Sequence, residues 1–320
     1  MRLLGTLRGL ACGLALGLAF VGAARADAPT PGAAFATDDG VIQAIGVTPS
    51  KLGANSNQLT FLPTDAAQPL TLSVDRLADK KALDLGARPG DRIWLTLDDA
   101  VNPRRVVQIT RIARPVPVLQ ELVALGAAFA VVAGLATVAT AGRPWRFLVG
   151  DDNRMSNSQT QMVLWFGVVA VAYGAALILR AWFLGWEFMG GIAMTTNVLA
   201  MTGLSGLSFG AAKVVAVQKD ASAAVSTATT PAPAPAAVRP KFTDLVLNDY
   251  GAADLGDFQM ILISGVATLI FACASWEFLT LVDIVKTTTL PDVDTALLGS
   301  FGIGQGAYLI KKAALPTGVG

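Results

Sequence analysis

At 320 residues, 53% of them apolar and 15% charged, with a mean hydropathy of +0.55, the chain is too apolar for one soluble domain. Its formal net charge of +1 comes without a basic face, so no nucleic-acid partner is expected. Histidine is absent, which removes the commonest general base and transition-metal ligand; neither enzyme chemistry nor a cofactor is implied.

The N-terminus has Arg2 and Arg8 flanking an apolar stretch that is continuous from Leu10 to Val21, followed by Ala24-Arg25-Ala26. This layout predicts a signal peptide over 1–26, with an uncleaved anchor as the alternative. Gly9 stands where a lipoprotein signal before Cys12 wants leucine, so lipidation is not expected. After cleavage Cys273 is the only cysteine left, which rules out an intramolecular disulfide.

Residues 36–115 read as a small exported all-β domain. Short β-type runs cover 41–47, 58–62, 70–74, 92–97 and 106–112, separated by Pro, Gly, Asn and Asp, and the interval 75–87 is helix-like. Three strands, a helix and two strands is the order of an OB-like barrel. Pro89-Gly90-Asp91 predicts a turn that sends Trp94 to one face of the fourth strand and Ile93, Leu95 and Leu97 to the other. Trp94, Arg104 and Arg105 are the candidate partner-binding residues; the plainer readings are a packed indole and a solvated loop. The segment resembles small periplasmic OB-like domains that carry a Pro-Gly-Asp turn before a strand. Copper-binding members of that group use His and Met, and this segment has neither.

A first transmembrane helix is expected within 116–142, followed at once by Arg143, Pro144, Trp145 and Arg146, which mark a cytoplasmic interface. Further spans are expected over 162–184, 197–217, 258–282 and 293–310, giving a five-helix bundle. Arg143, Arg146, Arg154, Lys213, Lys219, Arg239, Lys241, Lys311 and Lys312 then share one side, which predicts a periplasmic N-terminal domain and a cytoplasmic C-terminus in a bacterial inner membrane. Residues 220–240, rich in Ala, Ser, Thr and Pro, predict a flexible cytoplasmic linker.

On either side of that linker, 145–219 and 241–313 read as two parallel copies of one hairpin. Gln161-Met162 matches Gln259-Met260, and each second span carries a Gly-rich run before a lysine. Ser156 with Gln159 has capping-box spacing, and Asp254 with Asp257 occupies the equivalent place. The alternative for these polar entries is a cation site made by Asp151, Asp152, Asn153 and Asp249. Gln161 and Gln259 are candidate interhelical hydrogen-bonding groups. Gly206 with Gly210, and Gly302 with Gly306, have the spacing that lets helix backbones approach, either within the chain or in a homo-oligomer. The pairs Trp186-Glu187 and Trp276-Glu277 read as interfacial anchors. The charged residues Glu121, Arg180, Lys213 and Glu277 fall near span ends, which counts against ion-coupled transport.

The two halves resemble the duplicated hairpin of uncharacterised bacterial polytopic membrane proteins, in which a Gln-Met or Gln-Leu pair opens a span, often followed by a Trp such as Trp165. That resemblance implies fold and membrane location and no activity. Three functions fit the residues: a membrane anchor or assembly subunit whose barrel contacts an envelope partner; an oligomeric pore lined by Asn197, Thr202, Ser205, Ser208 and Gln305; and a membrane enzyme, for which the residues offer little. The expected partners are membrane lipid and either further copies of the chain or other subunits of a membrane complex.

Overall fold

The computed structural model of the chain describes residues 35–50, 53–98, 105–150, 153–226, 240–247 and 252–314, so the expected signal peptide lies outside the described residues. The first part is a closed barrel of five strands: β1 (Phe35–Ser50), β2 (Gly53–Pro63), β3 (Leu70–Ser73), β4 (Arg92–Asp98) and β5 (Arg105–Pro115). Their order is β3-β2-β1-β4-β5, and a parallel pairing of Ser73 with Arg105 closes the sheet. With α1 (Leu77–Asp84) between β3 and β4, this is the connectivity expected of an OB-like barrel.

Strict alternation explains the barrel core. Ile93, Leu95 and Leu97 are fully buried while Arg92, Trp94 and Thr96 between them are not. Each such buried side chain contributes about 1.5–3 kcal/mol of apolar transfer. The amphipathic α1 closes the barrel with Leu83, and its buried Asp79 accepts the backbone N–H of Ile109 at 3.2 Å. Strand β1 pairs with both β2 and β4, and at Gly40 it runs so close to β2 that a Cβ would collide with the Leu62 carbonyl. The Pro-Gly-Asp turn forms as expected: Gly90 N–H donates to the Ile42 carbonyl (2.8 Å) and Ile42 N–H to the Asp91 carbonyl (2.9 Å).

Five long helices follow: α2 (Val118–Ala139), α3 (Asn157–Phe183), α4 (Thr196–Ser226), α5 (Leu255–Leu279) and α6 (Thr295–Ala314). Among the described residues there are thus six α-helices, of which four, α2, α3, α4 over Thr196–Val215, and α5, are long and apolar enough to cross a membrane. The expected bundle of five such spans is corrected on this point. Helix α6 carries Gln305, Lys311, Lys312 and four glycines, which dilute its apolar content.

The same order of elements occurs twice, save that a 3-10 turn (Trp186–Phe188) follows the first long helix where a strand, Leu281–Asp283, follows the second. A 3-10 turn (Pro144–Leu148, then Phe242–Leu245) leads to an isolated antiparallel bridge, Val149 with Met155 and Leu247 with Ala253. A long helix comes next (α3, then α5), then a two-residue strand (β6, Ile192–Ala193; β8, Thr288–Thr289) and a second long helix (α4, then α6). Strands β6 and β8 pair in parallel with each other. Gly191, at φ +77°, allows this: a Cβ there would strike the Lys286 carbonyl. Helix α2 packs on α3, α3 on α4 and α5, α4 on α6, and α5 on α6.

Three local expectations are corrected. Helix α4 runs on to Ser226, into the stretch read as linker, because the alanine-rich segment favours helix. Residues 227–239 of that linker lie outside the described residues. The span expected to reach residue 282 ends at Leu279, and Leu281–Asp283 form a strand, β7. Ser156 makes no side-chain cap; with its amide oriented to donate, Gln159 instead reaches the carbonyls of Phe147 (3.2 Å) and Val149 (2.8 Å). The second copy does cap as expected, with Asp254 accepting from Gly256 N–H (2.9 Å) and Asp257 N–H (3.1 Å).

Candidate functional site

The barrel's outer face carries a charged stripe centred on Trp94. Trp94 is opposite Asp39 on β1 and Arg111 on β5. The guanidinium carbons of Arg92 and Arg111 lie 5.2 and 5.0 Å from its ring centroid, within cation–π range. Asp39 pairs with Arg92 (3.4 Å) and Asp283 of β7 with Arg111 (2.6 Å). Both arginine side chains keep about two-fifths of their surface exposed. The expected stacking platform is therefore a half-buried indole already flanked by its own arginines. Arg105 is exposed at the start of β5, and Arg104 lies outside the described residues.

Beneath this face the barrel is joined to the bundle. Strand β7 leaves the C-terminal end of α5 and adds to the barrel sheet beside β5, pairing Leu281, Val282 and Asp283 with Pro115, Arg114 and Ala113. Arg114 binds Asp91 through both carboxylate oxygens (2.8 and 3.0 Å), the Gly86 carbonyl (2.8 Å) and the Phe183 carbonyl at the end of α3 (2.8 Å). Arg180, also on α3 and 2% exposed, spreads its guanidinium over the carbonyls of Phe188, Asp283, Val285 and Lys286. A planar fork of donors is what lets one side chain satisfy four acceptors. In the sequence Arg180 is legible only as a charge near an interface, and Arg114 and Asp91 carry no such signal; the Pro-Gly-Asp turn is the one available pointer to Asp91.

Inside the bundle the candidate positions separate. Gln161 is buried, whereas Gln259, its sequence counterpart, is exposed. The two environments differ because α3 packs against three long helices, α2, α4 and α5, whereas α5 packs against two, α3 and α6. Among the described residues nothing lies within 4 Å of a Cβ built on Gly206 or Gly210, so this pair mediates no close approach there. Gly302 meets Leu204 of α4 at an ordinary 3.6 Å, and Gly306 is half-buried. A closer approach is made between α2 and α3, where a Cβ on Gly174 would lie 3.2 Å from that of Ala128. The small-xxx-small spacing of Ala124 and Ala128 could have signalled it.

Of the expected pore residues, Ser205, Ser208 and Gln305 are buried. Thr202 accepts the Trp165 indole N–H (3.0 Å), and Asn197 donates to Asp292 and Val293. At the end of the bundle far from the barrel, Lys311 Nζ bridges Asp254 (2.5 Å) and Asp257 (3.1 Å). Its hydrogen bond holds the Asp254 carboxyl below the usual carboxylate range. Of the residues read as an alternative cation site, Asp151, Asp152 and Asp249 lie outside the described residues. Among the described residues no group of three or more His, Cys, Asp or Glu side chains is gathered to hold a metal. Trp186 is exposed, as are Trp276 and Glu277.

No protein-family model, curated protein or solved structure matches the chain. What it shows by itself is a closed five-stranded barrel followed by helices of which four can cross a membrane.

Proposed function

We propose that the protein is a non-enzymatic integral membrane protein, an anchor or assembly subunit that holds its exported barrel against an envelope partner. The observation that carries this reading is the junction: β7 extends the barrel sheet from the bundle, and Arg114 and Arg180 lock the same seam. A barrel tethered only for solubility needs no such seam; one that must present a face in a fixed orientation does. The face presented is the Asp39–Arg92–Trp94–Arg111 stripe, partly exposed and rich in residues common at interface centres.

In this reading the barrel is periplasmic and the C-terminus cytoplasmic in a bacterial inner membrane. Cationic residues at the helix ends far from the barrel, such as Arg143, Arg146 and Lys241, support that orientation. The two halves are copies of one hairpin, an origin supported by their matching order of elements.

The test is purification in mild detergent, with mass spectrometry of co-purifying proteins and light scattering, for the native protein and for Trp94→Ala. A stoichiometric partner held by the native protein and lost from the variant supports the proposal. A partner-free homo-oligomer from both refutes it and directs attention to a pore.

A further inference from the structure

Helices α3 to α6 enclose an aromatic layer. Trp165 packs on Phe271 and Phe301 with ring centroids 5.4 and 6.4 Å away, and its N–H is satisfied by Thr202. One helical turn further from the barrel, the residues on the same faces are Gln161 on α3, Ser205 on α4 and Gln305 on α6. They are 1%, 2% and 3% exposed. Both polar atoms of Gln161, the hydroxyl of Ser205 and Oε1 of Gln305 are buried without a protein hydrogen-bond partner, as are Thr160 Oγ1 and Asn157 Oδ1 on the same helix as Gln161. Further again from the barrel is a cavity of about 140 Å³, large enough for several waters, lined by Gly256, Met260, Gly304, Tyr308 and Lys311 among others.

Buried polar atoms are rarely left unpaired, because desolvation without a partner is unfavourable. The chemistry of these particular atoms says what completes them. Carbonyl and hydroxyl oxygens predominate, which disfavours an anion. The unpaired Nε2 of Gln161 needs an acceptor, which a bare cation does not provide. Water both donates and accepts. We infer that the half of the bundle far from the barrel holds a water-filled polar vestibule, entered beside Lys311 and closed toward the barrel by the Trp165–Phe271–Phe301 layer. The vestibule lies within one chain, unlike a pore formed along an oligomer axis, and it stands whether or not the barrel binds a partner.

Two methionines of the native protein test this without mutation. Met260 lines the cavity and is 1% exposed; Met201 is 0% exposed and sits in the apolar cluster with Phe271 and Phe301. Under synchrotron radiolysis of the detergent-solubilised protein, hydroxyl radicals form from water at the side chain. Met260 is expected to be oxidised at least fivefold faster than Met201; a smaller ratio overturns the inference. The deeper layer is read by Ser205→Cys in a Cys273→Ser background, since a thiol in dry apolar surroundings does not ionise and does not react. Mixed-disulfide formation with a methanethiosulfonate reagent, which releases methanesulfinate, is expected for Ser205→Cys and not for Ala267→Cys in the same background. An inert thiol in a Ser205→Cys protein that elutes as the native species also overturns the inference.

Discussion

Replacing Arg114 with methionine removes the centre of the seam between barrel and bundle while keeping most of the side chain's apolar length. Asp91, 2% exposed, then loses both hydrogen bonds from the guanidinium and keeps only the backbone N–H of Arg88 at 2.7 Å. Breaking one partner out of a buried ion pair costs about 3–5 kcal/mol, because the remaining charge is uncompensated. The carbonyls of Gly86 and Phe183 lose their donor as well. Pulse proteolysis across a urea series reads the barrel selectively, since detergent-embedded helices resist cleavage. With a urea dependence of about 1–3 kcal/mol per molar, the barrel's midpoint is expected to fall by more than about 1 M. Asp91→Asn in the same background returns part of the loss, with a coupling energy of about 2 kcal/mol or more, in the upper part of the range for residues in contact. A midpoint shift corresponding to less than about 1 kcal/mol, the scale of an exposed ion pair, would refute the claim that this pair holds the junction. So would strictly additive effects of the two substitutions.

Asp254→Asn keeps the helix cap but removes the charge facing Lys311; the pair is partly exposed and its loss is expected to cost about 1 kcal/mol at neutral pH. The folded Asp254 pKa is lowered, so its contribution is fully present above the unfolded carboxyl value of about 3.9 and is lost as pH falls through the lower folded value. Thermal midpoints of native protein and variant should therefore begin to converge as pH falls below about 4 and meet only below the lower folded value, and a constant gap down to acid pH counts against the ion pair. Glu121→Leu removes a carboxylate whose two oxygens are buried without partners on α2, and is expected to raise the thermal midpoint in detergent, by about 1–3 kcal/mol in stability. A lower midpoint would show that Glu121 makes a stabilising interaction in the solubilised protein and overturn this reading. Gly40→Ala drives a methyl into the Leu62 carbonyl and should destabilise the barrel by about 1–3 kcal/mol in pulse proteolysis. An unchanged urea midpoint would show that β1 and β2 can separate there at no cost.

The barrel strands were readable because one face of each is buried, so apolar residues recur every second position. Ile93, Leu95 and Leu97 announce β4 in this way, and Pro89-Gly90-Asp91 announces the turn before it. The candidate site was much less readable. Trp94 was visible as an aromatic residue on the polar face, but not its two covering arginines, one of which, Arg111, comes from another strand. Gln161 and Gln259 looked alike in sequence and became different once neighbouring helices covered one and left the other exposed.

By itself, the sequence determined the elements whose cause is local: period-two strands, glycine and proline turns, and apolar runs long enough to satisfy their own backbone hydrogen bonds in lipid. Only the tertiary structure decided what those elements do to one another. Leu281–Asp283 carries no signal distinguishing it from the end of a span, and becomes a strand because β5 offers an open edge. Asp283 lies 172 residues from Arg111, and Arg114 reaches Asp91 and Phe183 from opposite directions along the chain. Pairings over such separations depend on where the barrel and the bundle come together, a property of the folded chain as a whole that no short stretch encodes.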